Sequence, residues 1–421
     1  MEKQVFKDCF GNSYVCFTHK TGLKVYVMEK PDFSSSYALF GTKYGSIDTC
    51  FSTDGKNFTT VPEGIAHFLE HKLFESEDGD AFSRYAETGA SANAYTSFDR
   101  TCYLFSCSDR FEDNFNILLD FVQHPYFTAK TVEKEQGIIG QEIRMYDDSP
   151  SWRVLFNMLL EMYYEHPVRI DIAGTTESIA QITDKLLYEC YNTFYNPANM
   201  FICVAGNVSA EKIASMVEKN ILDKEPVNVT RGTVIEPDAV RSNYIEQKLE
   251  VSVPMFCLGF KDSCSKPEKT AKERIAMGVT LNVLAGDCSP LYKELIDNEL
   301  INDDFETEYF TGNGYAAVMF SGESEKPIMV KEKIVGEINR LLENGIDSDL
   351  LNTVKCAMYG DVIRRFNSCE SISSQMAECA MFGYSLFEEQ DIIASVNAKD
   401  IMNCLSALKE EKSVLSVINP M

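Results

Sequence analysis

Two of the five histidines in this 421-residue chain fall within one short stretch, EGIAHFLEHKLFE, as His67 and His71 with Glu70 between them. On a helix, residues i and i+4 share a face and lie about 6 Å apart along the axis, so both imidazoles can converge on one ion. Neutral imidazole nitrogen is a good ligand for Zn2+. Glu70, three residues after His67, lies on the same side, where its carboxylate can reach a water beside the ion. The chemistry on offer is metal-assisted hydrolysis with Zn2+ as cofactor and Glu70 as general base. The competing reading is an ordinary helix that happens to carry two histidines, and a third ligand has to decide between them.

Two segments offer a carboxylate. Glu75 is eight residues beyond His67, roughly 12 Å along a straight helix, too far for both to hold one ion. It reads as a structural or surface carboxylate. The second segment is VEKEQGIIGQEIRMYDD, where Glu135 and Glu142 are separated by two helical turns and so point the same way. Ile138 and Ile139 between them can bury that helix against the fold. Alone, so acidic a stretch reads as a solvated face. Beside the histidine pair it becomes a second helix that delivers one carboxylate and leaves the fourth position to water.

The elements that must hold these residues can be read coarsely. NSYVCFTHKTGLKVYVMEK and SSSYALFGTKYGSIDTCF are strand-like, and SANAYTSFDRTCYLFSC is rich in Thr, Tyr and Phe and strand-like again. Helical spacing dominates FEDNFNILLDFVQHP, AKTVEKEQGIIGQEIRMYDD and SWRVLFNMLLEMYYEH. ITDKLLYECYNTFY is a further helix and NMFICVAGNV a strand. Pro, Gly and polar residues gather between Asp223 and Val240, which reads as a linker.

After the linker the plan repeats. EVSVPMFCLGFKDS resembles the earlier SSYALFGTKYGS, and SIAQITDKLLYEC ending at Cys190 aligns with IIASVNAKDIMNC ending at Cys404. The offset, 404 − 190 = 214, also pairs Ile179 with Ile393, Ile182 with Val396 and Leu187 with Ile401. The expected fold class is therefore α+β in two similar halves, residues 1–225 and 241–421. All five histidines (His19, His67, His71, His124, His166) precede the linker, so the chemistry is expected in the first half. TGNGYA around Gly312 and Gly314 reads as a hairpin turn, and FICVAGNVSAEKI, without GxGxxG or a P-loop lysine, as a fold element.

Composition narrows the function. A net charge of −25 argues against nucleic acid and against anionic membrane surfaces as partners. The acid excess either keeps the chain soluble or favours basic peptides. No apolar run approaches the roughly 18 residues needed to span a membrane. MEKQVFKDCFGNSYV lacks the charged-then-apolar pattern of a secretory signal, so a cytoplasmic location is expected. The fourteen cysteines are scattered, without a CxxC pair, and read mostly as small buried residues.

At these residues the sequence resembles the pitrilysin/insulinase family of zinc metallopeptidases, whose relatives include mitochondrial processing peptidase. HxxEH is the inverted zincin motif. The resemblance rests on GIAHFLEHKLFE, GASANAYTSFDRTCYLF and VEKEQGIIGQEIRMYDDSP, supported by HPVRIDIAGTTESI and YNTFYNPANMFICVAGNV. These cover most of the first half in order, and the chain looks most like the short bacterial members. The resemblance makes His67 and His71 zinc ligands, Glu70 the general base and Glu142, which closes the E-x6-E pair, the third ligand. Glu135 then falls on the glutamate that supports the ligands from behind. The gap from His71 to Glu142 is shorter than in the well-known members, which reads as a loop deletion. Asp147 and Asp148 sit nearer the usual spacing, but DDSP reads as a helix end. SANAYTS resembles the family's edge strand, where a peptide adds as an extra strand at Asn93 and Ala94.

The family implies two halves, each a mostly antiparallel sheet with helices packed on it, and a zinc endopeptidase acting on peptides or unfolded segments. It also implies a chamber of four such halves, so a chain with two needs a homodimeric or heterodimeric partner. One departure stands out. Relatives use an arginine and a tyrosine from the second half to hold the substrate carbonyl, yet LYKELIDNELINDDFETEYFTGNGYAAV has no arginine. Tyr309 and Tyr315 are the available tyrosines. The alternatives are a non-hydrolytic peptide-binding or assembly subunit of a processing-peptidase-like heterodimer, and a metal-dependent hydrolase acting on something other than peptides.

Overall fold

The computed structural model describes residues 1–77, 79–262 and 269–421. Ser263, at the end of the strand-like run EVSVPMFCLGFKDS, and Cys264 lie outside the described residues. The chain forms two compact units, each α+β.

Unit 1 is built on a seven-stranded sheet. Its strands are β1 (Glu2–Lys7), β2 (Ser13–Thr18), β3 (Lys24–Glu29), β4 (Ser36–Thr42), β5 (Ser91–Thr96), β6 (Thr101–Cys107) and β7 (Met200–Gly206), in the order β1-β2-β3-β7-β4-β6-β5. All pairs are antiparallel except β3 with β7. β5 is therefore an edge, with alternate residues exposed. The sheet carries helices α1 (Ile65–Leu73), the start of α2 (Ala129–Asp147) and α4 (Asp184–Phe194); α3 (Pro150–Met162) belongs to the other unit.

Among the described residues, unit 2 is built on a five-stranded sheet of β8 (Tyr244–Leu249), β9 (Met255–Lys261), β10 (Glu306–Gly312), β11 (Tyr315–Glu323) and β12 (Ser413–Pro420), in the order β8-β12-β9-β11-β10. Only β8 with β12 is parallel. This is the topology of β3-β7-β4-β6-β5, so β9 stands where β4 does and the edge β10 where β5 does. Its helices include α5 (Ala271–Ala285) and α7 (Ala398–Ala407). The offset of 214 carries the first residue of α4, Asp184, onto the first of α7, Ala398 (184 + 214 = 398). The paired apolar positions are buried in both units: Ile179 and Ile393, Ile182 and Val396, Leu187 and Ile401. The repeat in the sequence is thus a repeat of core positions.

The units are interleaved in sequence instead of meeting at one cut between 225 and 241. Unit 1 takes Ile363–Phe387, with helix α6 (Cys369–Phe382), and unit 2 takes Arg144–Ile170, with α3. Burial explains the exchange. Every residue of β4 and β7 is buried, so both faces of the sheet need cover. α6 supplies one layer, lying on β7 and β4 with small residues such as Ser373, Ala377 and Ala380 buried. In unit 2, α3 lies on β12 and β9, and Gly259 makes room for it: a Cβ there would fall 2.5 Å from the Met158 and Met162 side chains. One consequence is that His166, which precedes the linker, sits in unit 2.

Eight of the described cysteines are buried, as their scatter suggested, and all of them are free thiols. Among the described residues no helix is long and apolar enough to cross a membrane. Gly314, with φ 83°, forms the hairpin turn between β10 and β11, and FICVAG is the buried strand β7.

Candidate metal centre

Helix α1 begins where the backbone turns left-handed at Gly64 (φ 84°). Only glycine fits there, because a Cβ would fall 2.3 Å from the Ala173 carbonyl oxygen. Ser178 Oγ donates to Glu63 O at 2.9 Å, so the segment DIAGTTES locks the helix entry. Eight of the nine helical residues are buried, including His67, Glu70 and Lys72. A helix that buries so much polar surface needs partners for it.

α2 provides them. Glu142 Oε1 lies 3.7 Å from His67 Nε2, and Oε2 lies 3.4 Å from His71 Nε2. One ligand atom from each of the three side chains falls within 4.8 Å of the others. Two ligands at about 2.0–2.1 Å from a tetrahedral ion would be about 3.3–3.4 Å apart, close to the two carboxylate–imidazole separations, so the donor set suits Zn2+. Glu135, one helical turn pair earlier, has Oε1 3.1 Å from His71 Nδ1. With the proton on Nδ1 donated to Glu135, the His71 Nε2 lone pair faces the other ligands. His67 Nδ1 is buried without a hydrogen-bond partner among the described residues.

The electrostatics suit a cation. Burial, aided by neighbouring His71, holds the His67 pKa down to about 3, so its imidazole is neutral and free to ligate. Burial would lower His71 too, but Glu135, Glu70 and Glu142 together raise it. Burial raises Glu70 above the usual carboxylate range, against a hydrogen bond from Thr96 and the charge of His71. Burial also works upward on Glu135, but its bond to His71 leaves it lowered. Three carboxylates around two histidines make the site electronegative, which favours a cation there.

The structure thus brings together His67, Glu70, His71, Glu142 and Glu135. Asn93 and Ala94 lie on the edge strand β5, next to α1, and the Ala94 amide donates to Asn93 Oδ1 at 2.9 Å. Glu75 is elsewhere: it pairs with the fully buried ammonium of Lys72 and lies 3.8 Å from Lys134 Nζ. Asp147, at the end of α2, is 3.7 Å from Arg153. Only one of the two isoleucines buries α2: Ile139 is inaccessible, whereas Ile138 is 44% exposed. In unit 2 the Tyr309 hydroxyl donates to Asp262 Oδ2 at 2.6 Å, and Tyr315 is buried against His166 and Phe310. Thr96 is a site residue that sequence reasoning passed over. Its hydroxyl donates to Glu70 Oε2 at 2.8 Å. The signal was present in SANAYTS, since Thr96 shares a strand face with Ala94.

Comparison with known proteins gives this geometry a family. The model for Insulinase (Peptidase family M16) matches residues 59–176, and that for the Peptidase M16 inactive domain matches 181–358. The chain is 43% identical over 393 residues to the "Uncharacterized zinc protease YmfH" of Bacillus subtilis, covering 91% of each chain. It belongs to the M16 family. An M16-like protein of known structure from Alicyclobacillus acidocaldarius is 33% identical and superposes with a TM-score of 0.93 over 97% of this chain and 99% of that one. Pitrilysin shares the fold at 16% identity, with a TM-score of 0.76 over 99% of this chain and 46% of its own. This M16 chain is therefore a peptidase-family protein with the pitrilysin-like fold, and zinc is the metal that its relatives' names imply.

Proposed function

We propose that this M16 chain is a zinc-dependent endopeptidase that hydrolyses peptides or unfolded protein segments. The observation that carries the reading is the convergence of His67 Nε2 and His71 Nε2, from the largely buried helix α1, with the Glu142 carboxylate from α2, beside Glu70. These three residues would hold Zn2+, with Glu135 fixing the His71 tautomer. When bound, the ion supplies Lewis acidity, lowering the pKa of a water and polarising a carbonyl.

The remaining steps belong to the chain. Glu70, with Oε2 engaged by Thr96, accepts the proton of the attacking water at Oε1 and passes it to the leaving amine. The water's oxygen bonds to the carbonyl carbon and the C–N bond breaks, so the proton count balances. The edge strand β5 receives the peptide backbone at Asn93 and Ala94 as an added strand, which orients the scissile bond before Glu70 acts.

The partner is a second copy or a related subunit, which supplies the substrate-carbonyl contacts. LYKELIDNELINDDFETEYF holds no arginine, and Tyr309 and Tyr315 are engaged within unit 2. The same gap, with the match of residues 181–358 to an inactive-domain model, favours a second reading: a peptide-binding subunit that does not hydrolyse. Metal analysis of the purified protein, joined to a quenched-peptide assay with and without chelator, separates the readings. Stoichiometric zinc and chelator-sensitive cleavage support the peptidase. Zinc with peptide binding but no cleavage supports the assembly subunit.

A further inference from the structure

The hydroxyl of Thr96 has one proton to give, and its surroundings determine where it goes. Thr101 Oγ1 lies 3.4 Å away, but that hydroxyl donates to the Tyr44 carbonyl at 2.9 Å. Glu70 Oε2, at 2.8 Å, can only accept as a carboxylate. The Thr96 proton therefore points at Glu70. A charge-assisted bond of this length fixes the carboxylate and leaves Oε1 as the oxygen free for proton transfer.

Thr96 is itself firmly mounted. It ends β5, directly opposite Thr101 of β6. The turn that follows is held from three sides: Ser97 N donates to Arg100 O at 2.8 Å, Ser46 N to Ser97 O at 3.0 Å and Ile47 N to Phe98 O at 3.1 Å. Gly45 lies so close that a Cβ there would fall 2.4 Å from the Phe98 carbonyl. Arg100 reaches Glu378 of α6 at 2.6 Å, so the covering helix also holds the turn. The open edge of β5 at Asn93 and Ala94 thus runs, two residues on, into a rigid anchor that grips the general base.

We propose that Thr96 is a positioning residue which ties the strand that seats the peptide to the orientation of Glu70. This rests on the peptidase reading above. A peptide added to β5 is placed relative to the same backbone that sets Glu70, so substrate and base share one reference frame. The residue touches neither the ion nor the reacting atoms.

The test uses the zinc-loaded full chain with its partner, comparing wild type, Thr96→Val and Thr96→Ser. Valine keeps the branched shape and removes the donor, whereas serine keeps the donor. The expected result for valine is a drop in kcat of about ten- to hundredfold with KM and zinc content unchanged, and recovery in serine. Crystal structures of the three proteins supply a readout independent of turnover: Glu70 should keep its place in wild type and serine and swing away in valine. An unmoved Glu70 in the valine variant, or equal losses in valine and serine, would overturn the proposal. If wild type cleaves nothing while Glu70 still swings away in valine, the positioning role stands and the peptidase reading fails.

Discussion

His71 has Glu135 at its back, with Nδ1 and Oε1 3.1 Å apart, while its Nε2 faces Glu142 at 3.4 Å. Glu135 and Glu142 are two turns apart on α2, so one helix presents both the carboxylate proposed as the third ligand and the carboxylate against His71 Nδ1. Glu135→Gln keeps the size but weakens the acceptor. Zinc affinity, read by competition with a chromophoric chelator, should fall about ten- to hundredfold. Wild-type affinity would show that Glu135 is only a buried carboxylate.

Glu142 and Asp147 are alternatives in sequence spacing but not in space. Glu142 closes on both imidazoles, while Asp147 pairs with Arg153. Glu142→Ala should abolish stoichiometric zinc, and Asp147→Ala should leave it intact. Metal analysis of the two purified variants decides, and zinc lost only from the Asp147 variant would reverse the assignment.

The buried ammonium of Lys72 gives Glu75 a structural task. Removing one partner of such a pair strands the other charge, at a cost of about 3 kcal/mol. Glu75→Ala should therefore lower the urea midpoint with zinc still bound. A midpoint like that of wild type would mean that Lys72 has another partner.

How much of this could be read from the sequence follows from how local each feature is. His67, Glu70 and His71 are legible because the 3.6-residue period puts them on one face whatever else the chain does. Glu135 and Glu142 are legible for the same reason, and β5 by its residue types. Ile138 was not, because the period shows which residues share a face and leaves the width of the buried stripe to tertiary contacts. The exchange of α3 and α6 left no mark either: an amphipathic helix carries a buried face but no address for the sheet that covers it. Thr96 is an ordinary strand residue until α1 brings Glu70 to it.

That exchange has a consequence for truncation. A chain ending at residue 232 lacks α6, leaving one face of β4 and β7 uncovered. It should bind a hydrophobic dye or aggregate, whereas the full chain should not. A soluble, cooperatively unfolding 1–232 fragment would contradict the role assigned to α6.

His166 offers a pH-dependent readout within unit 2. It is buried and satisfied as a neutral ring: Nδ1 accepts from Val168 N at 3.1 Å and Nε2 donates to Asn313 O at 3.0 Å. Burial, with Lys261 adding to it, lowers its pKa against the pull of Asn313 and Glu236. The unfolded chain thus takes up this proton first as pH falls through the ordinary imidazole range near about 6.5, and stability is lost in that direction. Denaturant midpoints between pH 7.5 and 5 should fall more steeply for wild type than for His166→Gln. Parallel slopes would mean that the ring titrates alike in both states.

The most direct test of the peptidase reading concerns Glu70. Wild type and Glu70→Gln, each carrying the same measured zinc, are assayed as purified full chains on one quenched peptide. The expected result is chelator-sensitive cleavage by wild type and a loss of at least about a hundredfold in the variant. Equal cleavage by the two, with zinc retained in both, would contradict the role assigned to Glu70 and the mechanism built on it.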